Sequence, residues 1–122
     1  MRILAVTRVA IGAVLLAAPG SAGRRWLGDA ATDGRVKVAL RGLGARDLAF
    51  GLGALRALDR GEPVGGWVQL AAVGDLTDAV SGLVAIRRLG PLRGAGTVAS
   101  AGAAAALGLS VAPKVDEGVR RP

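Results

Sequence analysis

The most informative chemistry in this chain belongs to six charged residues that lie inside long apolar stretches. Three are basic and three are acidic, so together they can neutralise one another. They are Arg8, Arg41, Arg46, Asp47, Asp75 and Asp78. A charge at the centre of a membrane helix costs about 2.5–3.5 kcal/mol. Such charges act in proton relays and substrate paths, or form ion pairs that hold helices in register.

Spacing along the chain indicates how these charges are arranged. Asp75 and Asp78 are three residues apart and share one face of a helix. Arg46 and Asp47 are adjacent, about 100° apart around a helix, and are not expected to point at the same neighbouring helix. We expect Arg46 or Arg8 to face the two aspartates, with Asp47 meeting the remaining arginine. Paired carboxylates favour proton transfer, whereas nearby arginines favour a structural ion-pair clasp, and both hypotheses stay open.

Other chemistries lack the residues that they need. The chain has 122 residues and no cysteine, histidine or tyrosine. Thiol nucleophiles, imidazole bases and zinc, haem or iron–sulfur centres are therefore excluded. Asp75 and Asp78 followed by Gly82 are similar to the start of the paired-aspartate signature of enzymes that transfer phospho-alcohols, but the second aspartate pair is missing. We predict that the protein is not an enzyme and has no catalytic residues, metal site or cofactor.

Membrane-spanning helices are the elements that would position these charges. Hydrophobic residues make up 52% of the chain, 20 residues are glycine, and none of the five prolines falls within an apolar run. Because proline costs about 3 kcal/mol inside a helix, the prolines mark the limits of four segments. The predicted spans are residues 3–18, 36–58, 64–87 and 95–112, with a polar C-terminal tail at 113–122. The sequence predicts an all-α integral membrane bundle of four short transmembrane helices, one domain, multi-pass in the inner (plasma) membrane of the cell.

The first apolar segment also fits a second interpretation. Residues 1–8 are similar to the basic start of a signal peptide, residues 9–18 to its apolar region and residues 20–22 to its cleavage site. We expect this segment to be retained as a helix, with a cleaved signal peptide as the alternative.

The net charge of +7 is divided into short basic clusters between the apolar segments. This distribution favours contact with lipid headgroups and argues against nucleic-acid binding, which gathers basic residues on one face. Trp26 and Trp67 stand near segment ends, where tryptophan prefers the membrane interface. The stretch 21–35 is expected to form an interfacial loop or short helix. The predicted partner is the lipid bilayer, and the basic clusters are too evenly divided to fix an orientation.

Small residues recur at every fourth position in two of the segments. They are Ala45, Ala49, Gly53 and Ala57 in the second segment, and Gly96, Ser100, Ala104 and Gly108 in the fourth. Ladders of this kind let helix backbones approach closely within a membrane. We interpret them as packing within the chain, with a homo-oligomer or an unidentified membrane partner as the open alternatives.

Two short motifs are similar to those of a known family. Gly44 to Leu48 reads Gly-Ala-Arg-Asp-Leu, and Asp75 to Ala79 reads Asp-Leu-Thr-Asp-Ala. In these segments the chain resembles a family of uncharacterised small four-helix integral membrane proteins, mostly actinobacterial. The resemblance implies a membrane location and points to the arginine and aspartates of the two motifs, and it implies no reaction.

The sequence therefore predicts a small integral membrane protein with a structural or accessory role and an intramembrane network of arginine and aspartate. The alternative is a small proton-linked carrier or permease that uses Asp75 and Asp78 as its titrating groups.

Overall fold

The computed structural model describes residues 1–89, 95, 98–99 and 101–110, and these residues contain helices but no strands. The helices are α1 (Arg2–Ala17), α2 (Pro19–Leu27), a 3₁₀ helix (Gly28–Thr32), α3 (Gly34–Arg60), α4 (Gly65–Leu89) and α5 (Ala101–Ser110). The predicted all-α class is thereby confirmed for this part of the chain. The predicted segment 95–112 lies partly outside the described residues, and the tail 113–122 lies wholly outside them.

The chain separates into two compact units. The N-terminal unit is Met1–Arg56 and the C-terminal unit begins at Ala57. The first contains α1, α2, the 3₁₀ helix and most of α3. The second contains the end of α3 together with α4 and α5. The single membrane domain expected from the sequence stays a prediction.

A sharp bend separates α1 from α2. Ala18, between them, has φ −134° and ψ 58°, and Pro19 is the first residue of α2. A residue before proline is pushed away from the helical region, whereas proline is favoured in the first turn of a helix. As a result, the stretch Pro19–Thr32 leaves α1 at 105°. Of the two forms expected for residues 21–35, the short helix is the one present over most of this stretch.

The ends of α3 follow from local capping. The Oδ1 atom of Asp33 accepts a hydrogen bond of 2.7 Å from the backbone N–H of Arg35, which stabilises the first turn. At the other end Gly61 has φ +66°, and its N–H donates to the carbonyl of Leu58 at 3.3 Å. The N–H of Glu62 donates to the carbonyl of Ala57 at 2.9 Å, which completes a Schellman motif.

Glycines bring α1 and α3 into backbone contact. A Cβ atom on Gly12 would lie 2.6 Å from both the carbonyl oxygen of Gly44 and the amide nitrogen of Leu48. A Cβ atom on Gly51 would lie 2.7 Å from the carbonyl oxygen of Ala5. The early residues of α1 thus meet the later part of α3, and the two helices run antiparallel.

The contact face of α3 differs from the ladder expected in the second segment. Gly44 and Gly51 meet α1. Of the ladder residues, Ala45 and Ala49 are exposed, Gly53 is half-buried and Ala57 is buried. In the fourth segment, a Cβ atom on Gly108 would lie 3.0 Å from the Cβ atom of Ala72 in α4, as expected for packing within the chain. The ladder residues Gly96 and Ser100 lie outside the described residues.

Large aliphatic side chains lie on the outer face of α4. Those at least half exposed are Leu70, Val73, Leu76, Val80, Leu83 and Val84. The buried side of the same helix consists of small residues, Ala71, Ala72 and Ala79, together with Val68 and the charged Asp75. In α1, similarly, Ile3, Val6 and Val14 are exposed, whereas Ala5 and Gly12 are buried.

The hydropathy of the helices gives a separate result. Within the described residues, no single helix is both long and apolar enough to cross a membrane. Taken together, the bent pair Arg2–Ala17 and Pro19–Thr32 is long and apolar enough. A signal sequence near an N-terminus can also meet these two requirements. The four predicted transmembrane spans stay a prediction.

Candidate functional site

Three of the six predicted site residues meet between α1 and α3. The Nη1 atom of Arg8 donates a hydrogen bond of 3.2 Å to Oδ1 of Asp47. The Nη2 atom of Arg46 donates to the same oxygen at 3.3 Å. The side chains of Arg8 and Asp47 are only 14% and 12% exposed, and that of Arg46 is 26% exposed. We call this group the Arg–Asp clasp.

The positions of Arg8 and Asp47 follow from helical spacing. On α1, Arg8 is three residues after Ala5 and four before Gly12, and both of these neighbours are buried. On α3, Asp47 lies between Gly44 and Gly51, which are buried in the same way. Residues three and four apart lie on one face, so each charge stands in the middle of a face of small residues. The clasp is therefore flanked on both sides by close backbone contact.

This environment makes the clasp sensitive to loss of a partner. Charges removed from water interact more strongly than exposed ones. Removing one member of a buried ion pair therefore destabilises a protein by about 3–5 kcal/mol. The arrangement ties α1 to α3 at one register, because a shift of either helix by one residue would separate the guanidinium from the carboxylate.

Arg41 lies at the edge of the same pair of helices. Its Nε donates a hydrogen bond of 3.3 Å to the carbonyl oxygen of Leu16, near the C-terminal end of α1. The last carbonyls of a helix have no partner within the helix and carry partial negative charge. Arg41 thus caps α1 from an exposed position, apart from the clasp.

Asp75 and Asp78 belong to the C-terminal unit. Asp75 is 6% exposed on the buried face of α4, and Asp78 is half-buried one turn later. Both take part in hydrogen bonds or electrostatic interactions. Their expected pairing with Arg8 or Arg46 would join the two units and stays a prediction.

The expectation for Asp47 is contact with a single arginine. In the structure this carboxylate accepts hydrogen bonds from both Arg8 and Arg46.

The part of the chain that the structure describes contains no group of three or more histidine, cysteine, aspartate or glutamate residues able to hold a metal ion. Two carboxylates three residues apart do not by themselves make a cation site, since Ca²⁺ takes six to eight oxygen ligands.

Sequence reasoning does not find the groove between α1 and α2. It is apolar, has a volume of about 230 Å³, and is lined by Ala10, Ile11, Val14, Leu15, Ala22 and Trp26. The position of Trp26 near a segment end predicts an interfacial residue, but its place opposite α1 depends on the bend at Ala18.

The sequence also gives a usable signal for Gly12, which contacts α3, because it is the single glycine of α1.

Comparisons of the chain with models of protein families, with curated proteins and with solved structures return no match.

Proposed function

We propose that this chain is a small multi-pass protein of the inner (plasma) membrane, with a structural or accessory role, in which the Arg–Asp clasp fixes the pairing of α1 and α3. The observation that carries the proposal is the inverted polarity of the helices. Asp75, Asp47 and Arg8 face inward among small residues, while large aliphatic side chains cover the outer faces of α1 and α4.

The inverted polarity has opposite costs in water and in lipid. Monomeric proteins in water rarely expose contiguous apolar patches larger than a few hundred Å², since each Leu or Val gains about 1.5–3 kcal/mol by leaving water. Lipid tails remove this cost and instead penalise outward-facing charge. The outer face of α4 and the inward position of Asp75 both fit a lipid environment.

Hydroxyl groups on the outer faces support the same proposal. Thr7 donates to the carbonyl of Ile3 at 2.9 Å, Thr77 to that of Val73 at 2.9 Å, and Ser81 to that of Thr77 at 2.8 Å. All three side chains are exposed. Each hydroxyl therefore has a partner within its own helix and needs no water, as a lipid-facing hydroxyl requires.

The charges of α3 also account for its low mean hydropathy. A mean over a helix counts every face alike, although lipid contacts only the outer one. With 27 residues, α3 is about 40 Å long, which exceeds the hydrocarbon thickness of a bilayer. Arg46 and Asp47, near its middle, are engaged in the clasp. Its other six charged residues lie within its first eight or last five residues: Arg35, Lys37, Arg41, Arg56, Asp59 and Arg60.

Alkaline extraction of membranes tests the proposed location. Cells producing the full chain with a C-terminal tag are broken, and their membranes are washed with carbonate at high pH and then with detergent. We expect the protein to remain in the carbonate-washed pellet and to be released by detergent, whereas a peripheral protein in the same sample is released by carbonate. Recovery of the chain in the first soluble fraction would contradict the proposal.

The burial of Asp75 favours one second candidate, a small proton-linked carrier or permease that uses Asp75 and Asp78. A carboxylate held among small residues inside a membrane is a usual component of proton paths. The purified chain is placed in vesicles that contain a pH-sensitive dye, and an electrical potential is applied. This candidate requires a proton flux that disappears in Asp75→Asn and persists in Asp29→Asn, an exposed control. Absence of flux from the wild-type chain excludes it.

A further inference from the structure

The groove at the bend between α1 and α2 is an open surface feature of the N-terminal unit, and the elements that form its walls are closely packed. Leu15, on its α1 wall, is 1% exposed. On α2, a Cβ atom at Gly23 would lie 2.5 Å from Cδ1 of Leu40 and 3.2 Å from the Cβ atom of Ala31. Because α2 is packed this closely against α3 and the 3₁₀ helix, Trp26 is held opposite α1.

Positive charge surrounds this bend. Arg24 and Arg25 are exposed in the last turn of α2, directly before Trp26. The Cε atom of Lys37 would lie 3.1 Å from a Cβ atom on Gly20, so this lysine extends along the start of α2. Residues 20–41 contain five basic and two acidic residues, and one of the acidic ones, Asp33, caps α3.

We propose that the bend binds an anionic phospholipid, with part of one acyl chain in the groove and the phosphate beside Arg24 and Arg25. The inference rests on the proposed membrane location. Every side chain that lines the groove is apolar, and Ile11 and Val14 continue from it onto the exposed aliphatic surface of α1. A volume of about 230 Å³ is below the usual size of a pocket for a whole small molecule and suits a segment of hydrocarbon chain.

The geometry at the bend matches the polarity of one leaflet. An amphipathic helix at a steep angle to a spanning helix lies along the membrane interface, with its aromatic residue at headgroup depth. Trp26 provides the aromatic residue, and the neighbouring arginines provide positive charge at the depth of the phosphates. Arginine pairs with phosphate through two parallel hydrogen bonds, which favours an anionic headgroup over a zwitterionic one.

Quenching of Trp26 fluorescence by brominated lipids tests the inference. The chain contains two tryptophans, so all measurements use a Trp67→Phe background in which Trp26 is the remaining one. The full chain is reconstituted in phosphatidylcholine vesicles that contain the same mole fraction of acyl-brominated phosphatidylglycerol or of acyl-brominated phosphatidylcholine. We expect about fivefold tighter apparent association with the anionic lipid, as measured by quenching against mole fraction.

Three further variants assign this preference to the bend. We expect Arg24→Gln with Arg25→Gln to remove the preference for the anionic lipid, and Arg56→Gln, which changes an exposed arginine of α3, to retain it. Ala22→Leu fills the groove and should reduce quenching by either lipid. Equal quenching by the two lipids, or a preference that survives both glutamine substitutions, would overturn the inference.

The outcomes also separate this inference from the proposed location. Chain that floats with the vesicles in a density gradient but shows no lipid preference overturns the binding site alone. Chain that does not float with vesicles of either composition overturns both the membrane location and the site.

Discussion

Asp47 uses a single oxygen atom to accept hydrogen bonds from arginines on two helices. Arg8 comes from α1, 39 residues earlier in the chain, and Arg46 is its neighbour on α3. Because the two guanidinium groups converge on one carboxylate, removing that carboxylate leaves two like charges close together in a part-buried place. The energetic consequence is therefore expected to be larger for Asp47 than for either arginine.

We expect Asp47→Ala to lower the free energy of unfolding by about 3 kcal/mol, since the two part-buried arginines lose the carboxylate that they share. Unfolding of the purified protein by SDS in detergent micelles, followed by circular dichroism, measures this loss. Asp29→Ala provides the matched control, because Asp29 is exposed. Equal effects of the two substitutions would show that the clasp contributes nothing to stability.

At the scale of the element, glycine decides how closely α1 and α3 approach. Gly12 and Gly44 bring backbone atoms of the two helices together, and these atoms cannot rotate away as a side chain can. Gly42 lies two residues from Gly44 on the same helix, and a Cβ atom added to it would have no neighbour within 4 Å. Substitution of Gly42 therefore tests helix propensity alone, whereas substitution of Gly44 also tests the packing of α3 against α1.

We expect Gly44→Ala to destabilise the protein, because the new Cβ atom would lie 2.8 Å from the carbonyl oxygen of Gly12. Gly42→Ala should instead stabilise it by up to about 1 kcal/mol, since alanine favours the helix and meets no neighbour. The change in the free energy of unfolding of each variant is measured by the same SDS unfolding titration. Effects of the same sign and size would contradict the observed α1–α3 contact.

At the scale of the whole molecule, the distribution of polarity is the property that bears on function. The outer face of α4 has six large aliphatic side chains, while Asp75 lies on its buried face. This arrangement stabilises a protein that is surrounded by lipid and destabilises one that is surrounded by water. Substitution on the outer face of α4 therefore distinguishes the two environments.

We expect Leu76→Lys to reduce membrane insertion, because a lysine at the centre of a membrane helix costs about 3 kcal/mol. The measurement is the fraction of the chain in the carbonate-washed membrane pellet. Gly66→Lys, at an exposed site near the start of α4 where a Cβ atom would have no neighbour within 4 Å, should behave as the wild type does. If both variants behave alike, the outer face of α4 does not contact lipid.

The helices could be predicted from the sequence because the signals that start and end them are local. Pro19 ends the first predicted segment and Pro63 separates the second from the third, close to the observed limits of α1, α3 and α4. For residues 21–35 the sequence left a loop and a short helix open. Apolar runs and their embedded charges are likewise visible in the sequence. These features depend on neighbours within a few residues, and no knowledge of distant contacts is needed to recognise them.

Tertiary structure alone decided which faces meet. Small residues occur on several sides of α3. The spacing of small residues along the sequence therefore did not distinguish the face of Gly44 and Gly51 from that of Ala45 and Ala49. The pairing of Arg8 with Asp47 likewise requires α1 and α3 to run antiparallel at one register. Sequence determined which residues are helical and charged, whereas close packing between distant segments selected their partners, because an ion pair forms only where two backbones approach.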